Sequence, residues 1–264
     1  MITGTRASTW LDPMRAALDS SDHRSPIFFR DDDAGWDDAG CRRSCTCSTG
    51  TACRSTWPSS RLRCPSPWPP TSEPGPRTGP HGYAHLNHEP AGRKHEFGPS
   101  RKASAQQSDI ARGRSLLREA FDAALDPVFT PPWNRCTRGT ADTLVALGFE
   151  VLSRDHTATG FDRPDLHEVP VTVDWFGHRS GVRWTRGELA RRLAEGVANG
   201  GAVGVMLHHA ISDVEDRAAI RDLLRLVAGH EQARATTILR LSRGTRPASV
   251  RGGVPASPEA DRDL

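Results

Sequence analysis

The chain lacks several features that would decide its class at once. No apolar run approaches the roughly 18 residues of a membrane-spanning helix, and the first residues lack the apolar core and small-residue cleavage site of a signal peptide. Thirty-five basic and 32 acidic residues leave a formal net charge of only +3, and no basic stripe is interleaved with aromatic residues. We therefore expect a cytoplasmic protein with no membrane span and no nucleic-acid partner.

The six cysteines are unevenly placed. Five of them lie within residues 41–64 and the sixth is Cys136. Such a cluster is typical of a disulfide framework in a secreted protein or of a zinc site in a cytosolic one. However, the cluster contains no paired CxxC motif, and no His or Asp lies between Cys41 and Cys64. The spacing therefore favours neither a zinc site nor a disulfide framework.

From about Pro26, short apolar runs alternate with amphipathic segments, which is typical of βα units around a parallel sheet. A chain of 264 residues is long enough for a single α/β barrel. We expect a helical lead-in over 1–24, one domain over 25–241 and a disordered tail over 242–264. The predicted strands are 26–30, 127–130, 149–153, 167–176 and 202–207, and the predicted helices cover 105–125, 138–147, Leu189–Val197 and Ile220–Val227.

Residues 41–80 break this alternation, because they contain eight prolines, one Leu and no Val, Ile, Phe or Met. We expect no barrel strand there. One interpretation is a frameshift: a T moved from the first to the middle codon position encodes only Phe, Leu, Ile, Met or Val, so an apolar strand read out of frame becomes rich in Cys, Ser and Trp. The alternative is an ordinary insertion rich in Pro, Arg and Ser. We favour the frameshift, because long structureless loops are uncommon inside compact domains.

An acidic run follows the first predicted strand, where Asp31, Asp32 and Asp33 come directly after residues 26–30. The carboxyl ends of strands are where α/β barrels hold their active sites. Three adjacent carboxylates repel one another unless a cation or a proton is held between them. The run therefore predicts a cation site, and a solvated acidic loop is the alternative.

Two histidines four residues apart, His81 and His85, are placed to reach one metal ion. An Asp from another segment would complete a three-ligand site with open positions for water and substrate. A His-rich surface loop is the alternative. Further candidate residues follow later strands: Trp133, Asn134 and Arg135, then Asp174 and Trp175, and finally His208 and His209.

In order and spacing these residues resemble the five motifs of the polysaccharide deacetylase family, within the NodB-homology superfamily. Those motifs are an Asp-Asp pair, HxxxH, a Pro-containing strand end, Asp-Trp and a late Leu-His. The segment HGYAHLNHEPAGRKHEFG is similar to the metal-binding loop of a bacterial subgroup linked to surface polysaccharides. The resemblance covers about 27–212 apart from 41–80. It implies an α/β fold, namely a distorted (β/α)7 barrel with one βα unit (about 41–80) disrupted, that binds one divalent metal ion, commonly Zn, and a carbohydrate.

The same resemblance implies roles for the acidic run and the HxxxH motif. Asp33, His81 and His85 would be the metal ligands, and Asp32 would be the general base that deprotonates the metal-bound water. A divalent cation suits this chemistry, because it polarises the acetyl carbonyl and lowers the pKa of its bound water.

Roles follow for the later motifs as well. His208 would be the general acid that protonates the leaving group, with His209 as the alternative, and Asp174 would orient that histidine. Trp133 and Trp175 would line the acetyl pocket. Asn134 and Arg135 are further candidates for substrate contact, and Arg30, Asp31 and His88 complete the set of candidate site residues.

The chain departs from the family pattern in two places. The family usually has Thr-Phe or Ser-Phe before its Asp pair, whereas Arg30-Asp31 stands here. The arginine that usually opens the third motif is absent, so Arg30 and Arg135 are the candidates to orient Asp32. The segment 93–96 is either a contact for a sugar or anionic substrate or a solvated surface.

The sequence thus predicts a metal-dependent hydrolase that removes N- or O-linked acetyl groups from a carbohydrate or a sugar-derived substrate. Two alternatives stay open. One is a non-catalytic remnant that binds sugar or nothing, since a barrel without its second strand exposes strand edges. The other is a metal hydrolase that acts on a different amide or ester.

Overall fold

A computed structural model describes residues 9–34, 51–53, 77–121, 125–177 and 182–244, with the backbone alone at 51–53. The helices are α1 (Asp12–Asp19), α2 (Ala103–Phe121), α3 (Arg138–Ala146), α4 (Arg186–Ala198), α5 (Val214–Gly229) and α6 (Ile238–Gly244). The strands are β1 (Ser25–Ala34), β2 (Thr51–Cys53), β3 (Thr78–Pro80), β4 (Val128–Phe129), β5 (Val151–Leu152), β6 (His167–Glu168), β7 (Val173–Asp174), β8 (Val203–Leu207) and β9 (Ala233–Ala235).

The predicted helices correspond to α2–α5, and α1 lies in the predicted helical lead-in. The predicted strands correspond to β1 and β4–β8, with the segment 167–176 divided between β6 and β7. Two differences concern the carboxyl-terminal part. Strand β9 was not predicted, and α6 continues to Gly244 where a disordered tail was expected from 242. The rest of that tail, 245–264, lies outside the described residues.

The strands form two parallel sheets. One has the order β3-β2-β1-β8-β7, with β9 also paired to β1, and the other has the order β4-β5-β6. The longest ladder joins β1 to β8, where five consecutive residue pairs run from Ile27 opposite Val203 to Asp31 opposite Leu207. The acidic run is therefore an extension of the best-paired strand.

The mixed α/β fold with parallel sheets agrees with the prediction, but the described strands form no closed barrel, so the predicted distorted (β/α)7 barrel is not confirmed. Isolated bridges link Thr78 to Leu125 and His81 to Thr130, and the segment 167–174 pairs first with β5 and then with β8. The two sheets are thus connected without sharing one continuous ladder.

The prediction that residues 41–80 hold no barrel strand is wrong. Both β2 and β3 lie in this segment, and β2 pairs in parallel with β1 on one side and β3 on the other. The ladder uses backbone N–H and C=O groups, which every residue except proline supplies, so apolar side chains are not required for pairing. Residues 35–50 and 54–76, with Cys41, Cys45, Cys47 and Cys64, lie outside the described residues, and the frameshift stays a prediction.

The two central strands are buried on both faces, as parallel strands usually are. Alternate side chains point to opposite faces, so Ile27 and Phe29 pack against one apolar cluster while Phe28 packs into another. The neighbouring strand has Gly204 beside Phe28, where a Cβ would collide with the Phe28 ring. This close packing makes β1 and β8 a firm support for the residues at their carboxyl ends.

Three of the described helices begin at residues whose side chains cap them. Thr137, Thr185 and Asp213 each form a reciprocal capping box with the residue three positions later, at the starts of α3, α4 and α5. Among the described residues, no helix is both long enough and apolar enough to cross a membrane.

Candidate functional site

The acidic run lies at the carboxyl end of β1 and is buried, with Asp31, Asp32 and Asp33 exposed by 6, 3 and 2%. A solvated acidic loop is therefore excluded. Each carboxylate has its own partner: Arg30 on the same strand pairs with Asp32, and the histidines after β8 pair with Asp31 and Asp33. Mutual repulsion of three buried anions is offset in this way.

Asp32 is held by Arg30, which is itself fully buried. Arg30 Nε and Nη2 donate to the two carboxylate oxygens of Asp32 at 2.7 and 2.8 Å. The remaining guanidinium hydrogens reach Ser153 O and Oγ at 3.1 and 3.0 Å and Asn134 Oδ1 at 2.7 Å. Burial raises the pKa of Asp32, but the charges of Arg30, His81 and His208 and the hydrogen bond from Arg30 together outweigh burial and leave the pKa below its ordinary value. Asp32 is thus an oriented anion at neutral pH.

The end of β8 supplies two histidines that pair with the other two carboxylates. His208 Nδ1 lies 3.0 Å from Asp33 Oδ1, and the backbone N–H of Ala210 donates to Asp33 Oδ2 at 3.1 Å. His209 Nδ1 lies 2.8 Å from Asp31 Oδ2. The His208 side chain is 20% exposed and that of His209 only 2%. Only the first of these two Asp–His pairs is therefore open to solvent.

The environment of His208 favours its protonated form. Burial lowers the pKa of this imidazole. The hydrogen bond to Asp33 and the charges of Asp32, Asp33 and Asp174 have the larger, opposite effect and raise the pKa to about 9. Asp174 ends β7, and its Oδ1 accepts the backbone N–H of Phe176 at 3.0 Å. The predicted proximity of Asp174 and His208 is present, and its effect is electrostatic.

The HxxxH motif begins directly after β3 and brings its two rings together. The ring centroids of His81 and His85 are 5.4 Å apart, and the centroid of Trp133 lies 4.6 Å from that of His85. Burial lowers the pKa of His81 to about 3 although the charge of Asp32 raises it. Among the described residues, His81 Nδ1 is buried with no hydrogen-bond partner. This ring is neutral at physiological pH, which is the form that binds metals.

The strand end that carries Trp133 has an unusual backbone. Trp133 and Asn134 both have positive φ, at 55° and 58°, in a short 3-10 turn that follows Pro131. Asn tolerates this conformation, but a bulky Trp rarely adopts it. The turn places Asn134 against Arg30 and Trp133 against His85, so its strain serves to join two parts of the site.

The predicted metal ligands are not gathered in one cluster. Across the described ranges, no group of three or more His, Cys, Asp or Glu residues is placed to hold a metal ion. Asp33 pairs with His208, whereas the carboxylate charge that acts on His81 is that of Asp32. The donor chemistry nevertheless fits a divalent cation, since a neutral buried imidazole with an unpartnered nitrogen lies near a carboxylate and next to His85. The metal assignment stays a prediction.

Trp175 lies in the apolar core, away from any wall of a pocket. Its side chain is 1% exposed, its ring meets Trp10 edge to face at 6.0 Å, and its Nε1 donates to Asp216 Oδ1 at 3.3 Å. These contacts explain Trp175 as a packing residue beneath β7. The structure offers no support for its predicted contact with substrate.

Two other predicted residues lie on the periphery of the site. Arg135 donates to the carbonyl of Lys94 at 3.3 Å, so Arg30 is the arginine that holds Asp32. His88 is exposed, and its backbone N–H donates to the carbonyl of His95. Neither contact joins these residues to the acidic run.

Glu96 belongs to the site although the sequence suggested a surface or a substrate contact. It is fully buried, and its carboxylate accepts the backbone N–H groups of Tyr83, Ala84 and His85. Burial raises the pKa of Glu96 above its ordinary value, although these backbone donors act in the opposite direction. Ser153 and Met206, which contact Arg30, were also missed, because no sequence pattern distinguishes them from ordinary core residues.

Comparisons with known proteins place the fold. The chain matches no protein-family model and no curated protein. Among solved structures, it is similar to the crystal structure of a "putative polysaccharide deacetylase" from Mycobacterium smegmatis, with a TM-score of 0.55 and 16% sequence identity. The likeness covers 96% of this chain and 82% of that one. At this identity it establishes a shared mixed α/β fold, of the kind that this deacetylase-like protein adopts.

Proposed function

We propose that the chain is a metal-dependent hydrolase that removes acetyl groups, N- or O-linked, from a carbohydrate or a sugar-derived substrate. One observation carries this proposal: buried carboxylates at the carboxyl end of β1 lie between two histidines of opposite character, a neutral His81 and a protonated His208. The fold likeness to a deacetylase-like protein supports it.

The acid and the base follow from the two charge states. Hydrolysis of an amide or ester requires a base that takes a proton from water and an acid that gives one to the leaving group. Asp32 has its pKa lowered and is kept ionised by Arg30, whereas His208 has its pKa raised to about 9. Environments that shift the pKa values of two titratable groups in opposite directions are typical of a general acid and a general base. We assign Asp32 as base and His208 as acid, oriented through Asp33 and Asp174.

The metal would be held by His81, His85 and one carboxylate of the run. We retain Asp33 as that ligand, and Asp32 is the alternative because its charge acts on His81. A bound divalent ion would polarise the acetyl carbonyl and lower the pKa of a water molecule. Zinc suits a ligand set of imidazoles and one carboxylate.

The substrate contacts would come from the turn after β4. Trp133 is only partly buried and presents an aromatic ring beside His85, and Lys94 Nζ lies 5.9 Å from the centre of the same ring. Asn134 and Arg135 follow it on the same turn. Aromatic side chains accompanied by a few polar groups are typical of the walls of ligand sites.

The proposal is tested by acetate release from acetylated oligosaccharides, measured together with the metal content of the purified protein. Asp32→Asn and His208→Ala are each expected to lower turnover by roughly 10²–10⁴-fold while the metal stays bound. His81→Ala and His85→Ala are expected to lose the metal. A metal stoichiometry that both histidine substitutions leave unchanged would refute the ligand assignment.

Two further outcomes separate the alternatives. If Asp32→Asn loses the metal and Asp33→Asn keeps it, the roles of ligand and base are exchanged. If the folded wild-type chain binds metal but releases acetate from neither N-acetyl nor O-acetyl sugars, a panel of other amides and esters identifies the substrate class. A folded chain with neither metal nor turnover would be the non-catalytic remnant.

A further inference from the structure

We propose that Glu96 is a positioning residue whose buried carboxylate holds His85 in place. Glu96 is 0% exposed, although it lies only two residues after the charged pair Arg93-Lys94 in sequence. Its carboxylate faces three consecutive backbone N–H groups. They belong to Tyr83 (3.2 Å), Ala84 (2.5 Å) and His85 (3.1 Å).

Three successive N–H groups that converge on one anion form a concave backbone nest. Here the anion is part of the chain itself. Two residues of this loop have positive φ: Gly82, directly before the nest, at 65°, and His85, the last residue of the nest, at 55°. A Cβ at Gly82 would collide with Glu96 Oε2 and with the Pro132 ring, so this position requires glycine. The carboxylate therefore contributes to the path of the loop through its contacts with Tyr83, Ala84 and His85.

The two histidines of the motif are held by different means. His81 forms a bridge with Thr130, and the N–H of Gly82 donates to the Thr130 carbonyl at 3.1 Å, so the strand edge holds His81. The N–H of His85 donates to Glu96. Removal of the carboxylate should therefore release His85 and leave His81 in place. The consequence for metal binding rests on the function proposed above, whereas the consequence for the loop does not.

The first experiment uses the metal-free protein. Glu96→Gln keeps the shape of the side chain but removes its negative charge, so the hydrogen bonds from the three backbone N–H groups to Oε1 lose their charge assistance. Glu89→Gln is the matched control, because Glu89 lies in the same segment but accepts from Ser100 N and Oγ at 3.1 and 2.6 Å. Amide hydrogen exchange at residues 83–85 should become at least about tenfold faster in Glu96→Gln and stay unchanged in the control. Unchanged exchange at these amides in a folded Glu96→Gln would overturn the proposal.

The second experiment titrates Zn²⁺ alone into each protein by calorimetry. Loss of a residue that orients a metal ligand typically costs 10–100-fold in metal affinity, and we expect that loss for Glu96→Gln and none for Glu89→Gln. A wild-type chain that binds no Zn²⁺ would refute the proposed function, while the exchange result would still decide the role of Glu96. A wild-type chain that binds Zn²⁺ and a Glu96→Gln variant that binds it equally well would overturn the positioning of a ligand.

A second variant covers the case in which Glu96→Gln fails to fold. Gly82→Ala leaves Glu96 intact but places a Cβ against its carboxylate. It should produce the same faster exchange at residues 83–85 and the same loss of Zn²⁺ affinity. Normal exchange and normal affinity in a folded Gly82→Ala would overturn the proposal independently.

Discussion

The two halves of the candidate site are built by different means. In the strand half, the acidic run of β1 faces the histidines at the end of β8 across the longest ladder in the described residues, and each carboxylate has its own partner. In the loop half, His81 and His85 follow a three-residue strand, and backbone bonds to the buried Glu96 hold the segment that carries His85. In the strand half the charge pairs can therefore be removed one at a time, whereas in the loop half one carboxylate contacts three successive backbone N–H groups.

The largest effect is expected within the strand half, between its two Asp–His pairs. His208→Ala should lower kcat/KM by roughly 10²–10⁴-fold, because His208 is the proposed proton donor and is partly exposed. His209→Ala should instead destabilise the fold by about 1–3 kcal/mol, because it leaves Asp31 buried without its ring partner. Acetate release and urea unfolding of both variants measure the two effects. Greater loss of activity per folded molecule in His209→Ala would identify His209 as the acid.

The next largest effect concerns Arg30. Arg30→Met should cost about 3–5 kcal/mol of unfolding free energy, because the buried Asp32 carboxylate loses its charge partner. Adding Asp32→Asn should recover part of this loss, since the unpaired charge is then removed. Urea unfolding of the two single variants and the double variant forms the cycle. A double variant as unstable as the sum of the single variants would show that the pair is not coupled.

A smaller effect tests how closely the strand half is packed. Gly204→Ala should destabilise the fold by about 1–3 kcal/mol, because its Cβ would meet the Phe28 ring and lie 2.9 Å from the Pro170 carbonyl oxygen. Gly201→Ala is the control, since no atom lies within 4 Å of the corresponding Cβ. Thermal unfolding compares the two. Equal melting temperatures would show that β1 and β8 have room to adjust.

The smallest effect is a change in the pH dependence of stability that involves Asp216 in α5. Burial raises the pKa of Asp216, but hydrogen bonds from Arg186 and Trp175 outweigh burial and leave the pKa below its ordinary value of 3.8. A lowered pKa in the folded state adds stability above that ordinary value, and the stability is lost as pH falls through the folded-state pKa. Asp216→Asn should therefore weaken the loss of stability below about pH 4. Asp222→Asn, on the same helix, should behave as wild type because its pair with Arg225 is at the surface.

Much of the fold was accessible from the sequence because apolar periodicity reports burial directly. Helices α2–α5 and strands β1 and β8 follow from their patterns of leucine, isoleucine, valine and phenylalanine. Strand β2 was missed because its three residues, Thr51–Cys53, carry no apolar pattern, and the ladder needs only the backbone. The alternation of apolar runs and amphipathic segments indicated parallel sheets, but it did not determine how the strands join into sheets.

Within the site, the sequence by itself determined which types of candidate residue are present and which strand ends they follow. Carboxylates after β1, imidazoles after β3 and β8 and an aromatic side chain after β4 all lie at strand ends, since residue type and position relative to an apolar run are local properties. Only the tertiary structure decided the pairings: Arg30 with Asp32, His208 with Asp33, Glu96 with the backbone at His85, and Trp175 with the core. Such pairings join residues that are up to about 175 positions apart. Their hydrogen bonds require specific distances and angles between donor and acceptor, which no local sequence pattern encodes.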